Sequence, residues 1–66
     1  MLDARGLSCP EPVIMIKEAM ESKASEYKIM VDNKVALENI TRFAGTMGYS
    51  VEYKEVDGDY SLTIRK

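Results

Sequence analysis

The sequence predicts a two-layer sandwich of the mixed α/β (α+β) type, in which a four-stranded mixed sheet carries two helices on one face. Three observations support this prediction. Two segments repeat apolar residues with the period of an amphipathic helix, and four shorter segments alternate apolar and polar residues. These segments follow the order βαβαββ. The 66 residues leave room for one domain, 1–66, with one core.

The first strand is predicted at residues 1–4, where apolar and polar residues alternate weakly. Residues 5–8 then form a loop, in which Gly6 supplies the conformational freedom that a turn needs. A helix is predicted from residue 10 to about residue 22. Its apolar stripe consists of Pro12, Val13, Met15, Ile16, Ala19 and Met20.

Two prolines mark the start of this helix. Pro10 suits the first helical position, and Pro12 lies in the first turn, where backbone amides have no partner within the helix. The run Pro10-Glu11-Pro12 therefore predicts a helix start and puts Cys9 at or beside the N-cap. Ile14 is the exception to the helical pattern, because it projects from the polar face.

The second strand is predicted at residues 27–31, which alternate. Asp32 and Asn33 follow, and either side chain can accept a hydrogen bond from an amide in the first turn of a helix. The second helix is predicted to run to about Met47, and Gly48 suits the left-handed position that ends a helix. Its apolar stripe consists of Ala36, Leu37, Ile40, Phe43, Ala44 and Met47.

The last third of the sequence predicts a β-hairpin. The apolar positions of its two strands are Tyr49, Val51 and Tyr53, followed by Tyr60, Leu62 and Ile64. Between the strands, Asp57-Gly58 matches a two-residue type I′ turn. A right-handed βαβ crossover is expected to make the first two strands parallel. The tyrosines and methionines fall mostly at core-facing positions and are expected to pack.

The composition excludes several classes of function. Cys9 is the one cysteine and there is no histidine, so an intrachain disulfide and a Cys–His or Ser–His catalytic pair are excluded, and no metal site is expected. The net charge of −2 argues against binding to nucleic acid or to an anionic membrane. No apolar run approaches the roughly 20 residues of a membrane span, and no signal-peptide pattern is present. We therefore expect a cytoplasmic protein without a cofactor.

Cys9 is the side chain that we expect to carry any chemistry. A thiol near a helix N-terminus lies at the positive end of the helix dipole, which favours the thiolate, and Arg5 could add positive charge. Pro12 has no amide hydrogen and the carboxylate of Glu11 opposes a thiolate, so the expected preference is modest. Since no second cysteine is present, no other thiol of this chain can react with Cys9.

The segment that surrounds this cysteine reads Asp3-Ala4-Arg5-Gly6-Leu7-Ser8-Cys9-Pro10-Glu11-Pro12. It resembles the TusA/SirA family of small sulfur-carrier proteins, whose hallmark is Cys-Pro-x-Pro at the start of the first helix. The resemblance extends over the whole chain and its βαβαββ order. Residues 31–44 are similar to one branch, the TusA-like N-terminal domain of YedF-type proteins, which are linked to selenium metabolism. A DsrE-like domain normally follows there, so the resemblance allows this chain to be one domain of a longer protein.

The resemblance implies a sulfurtransferase-like persulfide carrier rather than a free-standing enzyme. Cys9 would accept a sulfane sulfur from a donor such as a cysteine desulfurase and relay it to an acceptor protein, in sulfur or selenium metabolism. The motif residues expected to support it are Asp3, Arg5, Gly6, Pro10, Glu11 and Pro12. Ile14 would provide an exposed apolar contact for these partners.

Two other functions stay open from the residues alone. The domain could be a non-catalytic regulatory module that binds a partner protein, with Cys9 incidental. It could also bind RNA, as some small sandwiches do, although the net charge and the lack of a Lys/Arg stripe disfavour this function. Persulfide transfer distinguishes the carrier from the regulatory module, and tRNA binding tests the third function.

Overall fold

A computed structural model describes residues 2–7 and 11–66 of the chain. The elements are β1 (Leu2–Asp3), α1 (Glu11–Met20), β2 (Glu26–Val31), α2 (Lys34–Thr46), β3 (Ser50–Val56) and β4 (Asp59–Arg65). The predicted order βαβαββ is therefore confirmed, and so is the fold class of two helices on a four-stranded mixed sheet.

The strands lie in the order β1-β2-β4-β3. β1 runs parallel to β2, as predicted, and β4 is antiparallel to both β2 and β3. Val31, at the end of β2, pairs with Tyr60 near the start of β4. The ends of β1 and β2, the β3–β4 turn and the first residues of both helices therefore lie at one edge of the sheet. We call this the loop edge and define it by Asp3, Val31 and Asp59.

The core lies between the helices and one face of the sheet. Alternation along β2 and β4 turns Ile29 and Leu62 toward this side, and α1 and α2 contact each other above it. Its buried apolar residues are Ala4, Ile16, Met20, Tyr27, Ile29, Val31, Ala36, Leu37, Ile40, Ala44, Leu62 and Ile64. One cluster thus joins both helices to the sheet, which fixes where α1 and α2 begin relative to the loop edge.

The turn between β3 and β4 has the predicted geometry. Val56 pairs with Asp59, which leaves Asp57 and Gly58 as a two-residue loop. Both have positive φ angles, 51° and 85°, as a type I′ turn requires. The local sequence was therefore sufficient to place this turn and to set the register of the hairpin.

The ends of the helices agree with the predictions except at one point. The side chain of Asn33 accepts a hydrogen bond from the amide of Ala36 at 2.8 Å and caps α2, and Gly48 follows α2 with φ 85°. The first helix, however, ends at Met20 and not near residue 22. The amide of Lys23 bonds to the carbonyl of Met20, three residues back, and Lys23 has φ 59°, so the chain leaves the helix here.

Two residues predicted to face the core are exposed. Tyr53 is 60% exposed and Met47 is 50% exposed. β3 is the outer strand of the sheet, so Tyr53 has a neighbouring strand on one side only, and its ring packs edge-on against Tyr60 at 6.0 Å. Met47 lies at the C-cap of α2, past the last turn that packs on the sheet. Periodicity predicted the correct face for both, but the covering layer does not extend over them.

We predict that Ile29→Val lowers the free energy of unfolding by about 1 kcal/mol, because one buried methyl group is removed from the strand between β1 and β4. Urea unfolding monitored by circular dichroism measures the change. The matched control is Lys28→Ala at the neighbouring exposed position, which is expected to change stability by less than about 0.5 kcal/mol. Equal losses in the two variants would contradict the described core.

Candidate functional site

The loop between β1 and α1 starts with a tight turn. The amide of Leu7 donates to the carbonyl of Ala4 at 3.3 Å, and Gly6 has φ 82°. A Cβ atom at Gly6 would meet no neighbour within 4 Å. Gly6 is therefore required by its backbone conformation and not by lack of space, as the sequence predicted. Leu7 is half-buried and packs against the core, which holds the described end of the loop.

The side chains of Asp3, at the end of β1, and Arg5, in the loop, are in contact. The Arg5 side chain donates to both carboxylate oxygens of Asp3, from Nε at 3.0 Å and from Nη2 at 2.9 Å, and the Arg5 amide donates to Oδ1 at 3.1 Å. These bonds lower the pKa of Asp3 from 3.8 to about 2 and raise the pKa of Arg5 further above its usual range. Both groups are exposed, so the contact fixes the shape of the loop more than it stabilises the fold.

Arg5 also reaches a residue that the sequence analysis did not single out. Its Nη1 atom donates to Oδ2 of Asp59 at 3.4 Å, across 54 positions of the sequence. Asp59 is the first residue of β4 and lies at the loop edge. The guanidinium of Arg5 is thus shared by two carboxylates, that of Asp3 in β1 and that of Asp59 in β4.

Asp32 is the second residue that the sequence analysis missed as part of the site. Its Oδ2 atom accepts a hydrogen bond of 2.7 Å from the amide of Gly6, and its Oδ1 atom accepts one of 3.1 Å from the side-chain amide of Asn33. The Gly6 amide is the main cause of the lowered pKa of Asp32, and Asn33 contributes further. The one available signal was that two residues able to cap a helix stand in succession before α2, which uses only Asn33.

The first turn of α1 presents the remaining described motif residues. Glu11 is its first residue and is exposed, whereas Pro12 is buried against the core. Ile14 is 48% exposed, so its predicted projection from the helix is confirmed. Its role as a contact for partners stays a prediction.

Cys9 and Pro10 lie outside the described residues, as does Ser8. In the sequence, Cys9 stands two positions after Leu7 and two positions before Glu11. The prediction that Cys9 is accessible at the start of α1 therefore stays a prediction. What the structure describes is the chain on both sides of it, with Leu7 and Pro12 packed on the core.

Two further findings concern residues 2–7 and 11–66. Among them, no three or more His, Cys, Asp or Glu side chains come together in a way that could hold a metal ion. Neither α1 nor α2, the helices in this part of the chain, is long and apolar enough to cross a membrane.

Comparison with known proteins identifies the family. The family model described as sulfurtransferase TusA matches residues 1–66. A protein of Methanocaldococcus jannaschii named "putative sulfur carrier protein" is 40% identical over 68 residues, which cover 98% of this chain and 91% of that protein. The crystal structure of a SirA-like protein from Desulfitobacterium hafniense has a TM-score of 0.88 and 37% identity, over 97% of this chain and 92% of that one.

The fold and the loop edge thus define a small α+β domain of the sulfur-carrier type. The chain belongs to the TusA family of sulfurtransferases and sulfur carriers. The resemblance to the TusA/SirA family that the motif indicated is confirmed at this level. Proteins of this family act between a sulfur donor and a sulfur acceptor.

We predict that Arg5→Gln raises the pKa of Asp3 from about 2 toward the ordinary 3.8, because the two bonds from the guanidinium are lost and only the bond from the backbone amide of residue 5 stays. Carbon-13 NMR of the Asp3 carboxyl group measures this pKa. Because the pKa is lowered in the fold, the Asp3–Arg5 contact is complete above the ordinary carboxyl pKa and is lost as the pH falls toward 2.

The control for this titration is Lys28→Gln, which removes a positive charge from the same sheet. The amine of Lys28 lies 3.9 Å from Glu26, so the variant is expected to leave the pKa of Asp3 in place. An unchanged pKa of Asp3 in Arg5→Gln would contradict the described contact.

Proposed function

We propose that this domain carries a sulfane sulfur as a persulfide on Cys9, received from a donor protein and passed to an acceptor protein. The observation that carries the proposal is the fixed loop that leads to Cys9. Two carboxylates hold this loop, that of Asp3 in β1 through Arg5 and that of Asp32, which follows β2, through Gly6. A loop held from two sides suits a thiol that must meet two different partners in one defined geometry.

The proposed reaction is an exchange without net oxidation. The Cys9 thiolate attacks the terminal sulfur of a persulfide on the donor, the sulfur–sulfur bond of the donor breaks, and the donor thiolate leaves. Cys9 then bears the persulfide. In the second step a thiolate of the acceptor attacks the same terminal sulfur and Cys9 leaves as a thiolate. The sulfur atom moves as sulfane sulfur, so neither step consumes an oxidant or a reductant.

The charges around the described part of the loop give a Cys9 thiolate little stabilisation. The sequence predicts that Arg5 adds positive charge for this thiolate. In the structure its guanidinium is already engaged by the carboxylates of Asp3 and Asp59, and the carboxylate of Asp32 lies at the same edge. We therefore assign Arg5 to holding the loop. With little net positive charge at the described part of the loop, a Cys9 thiolate is only modestly stabilised, so neither uptake nor release of the sulfur is strongly favoured.

The proposal also names a donor protein, a cellular location and an area of metabolism. We propose a cysteine desulfurase as the donor and a cytoplasmic location. The similarity of residues 31–44 to YedF-type domains supports a function in sulfur or selenium metabolism, beside a DsrE-like domain. Ile14, exposed in the first turns of α1, supplies an apolar contact that both partners use in turn. Pro10, Glu11 and Pro12 set the start of that helix.

We predict that Cys9→Ser abolishes sulfur loading and leaves the fold intact, because no other residue can form a persulfide. The measurement is intact mass spectrometry after incubation with a cysteine desulfurase and cysteine, where wild type gains whole sulfur atoms. Circular dichroism is the folding control. The double variant Cys9→Ser, Ser8→Cys keeps one thiol in the loop, displaced by one residue. Equal mass gain in Cys9→Ser would reject the proposed function.

We predict that Ile14→Glu slows sulfur transfer from the desulfurase about tenfold, since a charge replaces an apolar contact at the docking surface. The reaction of Cys9 with a small thiol reagent should keep its rate. Met47→Glu is the matched control, because Met47 is equally exposed but lies at the far end of α2 from the loop edge. Equal transfer rates in Ile14→Glu and Met47→Glu would show that Ile14 contacts neither partner.

A further inference from the structure

The hydrogen bond between Asp32 and Gly6 connects two parts of the chain that are 26 positions apart. We propose that Asp32 is a positioning residue for sulfur transfer, which holds the loop that leads to Cys9 in its transfer-competent position. The inference rests on the proposed function of Cys9. Asp32 would act through Gly6, three positions before Cys9 in the sequence, without itself touching the sulfur.

The geometry of this contact is that of a strong hydrogen bond. The nitrogen of Gly6 and Oδ2 of Asp32 are 2.7 Å apart, the short distance that is typical of a charged acceptor. The acceptor is itself held in place, because Oδ1 of the same carboxylate accepts from the side chain of Asn33 at 3.1 Å. Asn33 in turn caps α2 through its oxygen. The loop is thereby joined to the start of α2 and to the end of β2.

Asp32 has no competing structural task among the described contacts. The cap of α2 is made by Asn33, and the ion pairs at the loop edge join Arg5 to Asp3 and to Asp59. Asp3 restrains Arg5 from two positions away, which shapes the turn locally. Asp32 restrains the next residue, Gly6, from the position that follows β2, which holds the turn to the end of the neighbouring strand. Asp3 thus shapes the turn locally, whereas Asp32 holds the backbone of Gly6 and Asp59 holds the side chain of Arg5.

A matched pair of substitutions separates the hydrogen bond from the charge. Asp32→Asn and Asp32→Ala both remove the negative charge, so any electrostatic effect on the thiol is common to the two. Asp32→Asn keeps an oxygen that can accept from the Gly6 amide, whereas Asp32→Ala does not. Glu38→Ala removes one exposed carboxylate from α2 and serves as the control for charge loss elsewhere.

The experiment measures single-turnover transfer of sulfur from a loaded cysteine desulfurase to Cys9, together with the dissociation constant for that desulfurase. Asp32→Ala is expected to slow transfer about tenfold at unchanged dissociation constant, because one hydrogen bond to a charged group is lost. Asp32→Asn is expected to stay within about threefold of wild type, since a neutral acceptor keeps a weaker bond. The Gly6 amide, followed by nitrogen-15 NMR, should exchange with solvent faster in Asp32→Ala only.

The outcomes are distinct. If wild type takes up sulfur and Asp32→Ala takes it up at the same rate, the positioning role of Asp32 is overturned and the proposed function stands. Equal slowing in Asp32→Asn and Asp32→Ala would assign the effect to charge and also overturn the positioning role. If wild type takes up no sulfur on Cys9, the proposed function fails, and the inference fails with it. If Asp32→Ala does not fold, Asp32→Ser, whose shorter side chain also leaves Gly6 without its acceptor, gives the same comparison.

Discussion

The loop edge depends on a very short parallel ladder between β1 and β2. Among the described residues, Leu2 and Asp3 form β1, opposite Ile29 and Met30, and the amide of Ala4 adds a bond of 2.8 Å to the carbonyl of Met30. This pairing puts the end of β1 beside the end of β2, and so brings Gly6 within reach of Asp32. Because so few backbone bonds fix β1, the side-chain contacts beyond it carry much of the restraint on the loop. The carboxylates of Asp3, Asp32 and Asp59 thus hold the loop beyond the point where the backbone pairing of β1 ends.

The features that were predictable from the sequence are those determined by near neighbours in the chain. Asp57-Gly58 specifies its turn whatever surrounds it, and Asp32-Asn33 marks the start of α2, although the sequence left open which of the two side chains caps it. The contacts of Gly6 with Asp32 and of Arg5 with Asp59 were not predictable. They require knowing that β2 lies beside β1 and that β4 starts at the same edge, which depends on the packing of the whole sheet.

The exposure of side chains was likewise predictable only in part from the sequence. Periodicity correctly separated the two faces of each element, since Ile16, Ile40 and Ile64 are fully buried. It did not show how far each covering layer extends, so Tyr53 and Met47 were expected inside and lie outside. The motif indicated which stretch of the chain to expect at the site, and its residues Asp3, Arg5 and Gly6 do lie together at the loop edge. The residues that hold Gly6 and Arg5 from other parts of the chain, Asp32 and Asp59, stand outside the motif.

The strand order has a consequence for the timing of folding. β4 follows every other element in the chain, yet it lies between β2 and β3 and pairs with both. Until β4 is present, β2 lacks its antiparallel neighbour, β3 has no partner strand, and Arg5 has no Asp59 to reach. A nascent chain that still lacks this segment therefore holds neither the sheet nor the complete loop edge. The last strand to be synthesised therefore determines when the loop edge becomes complete.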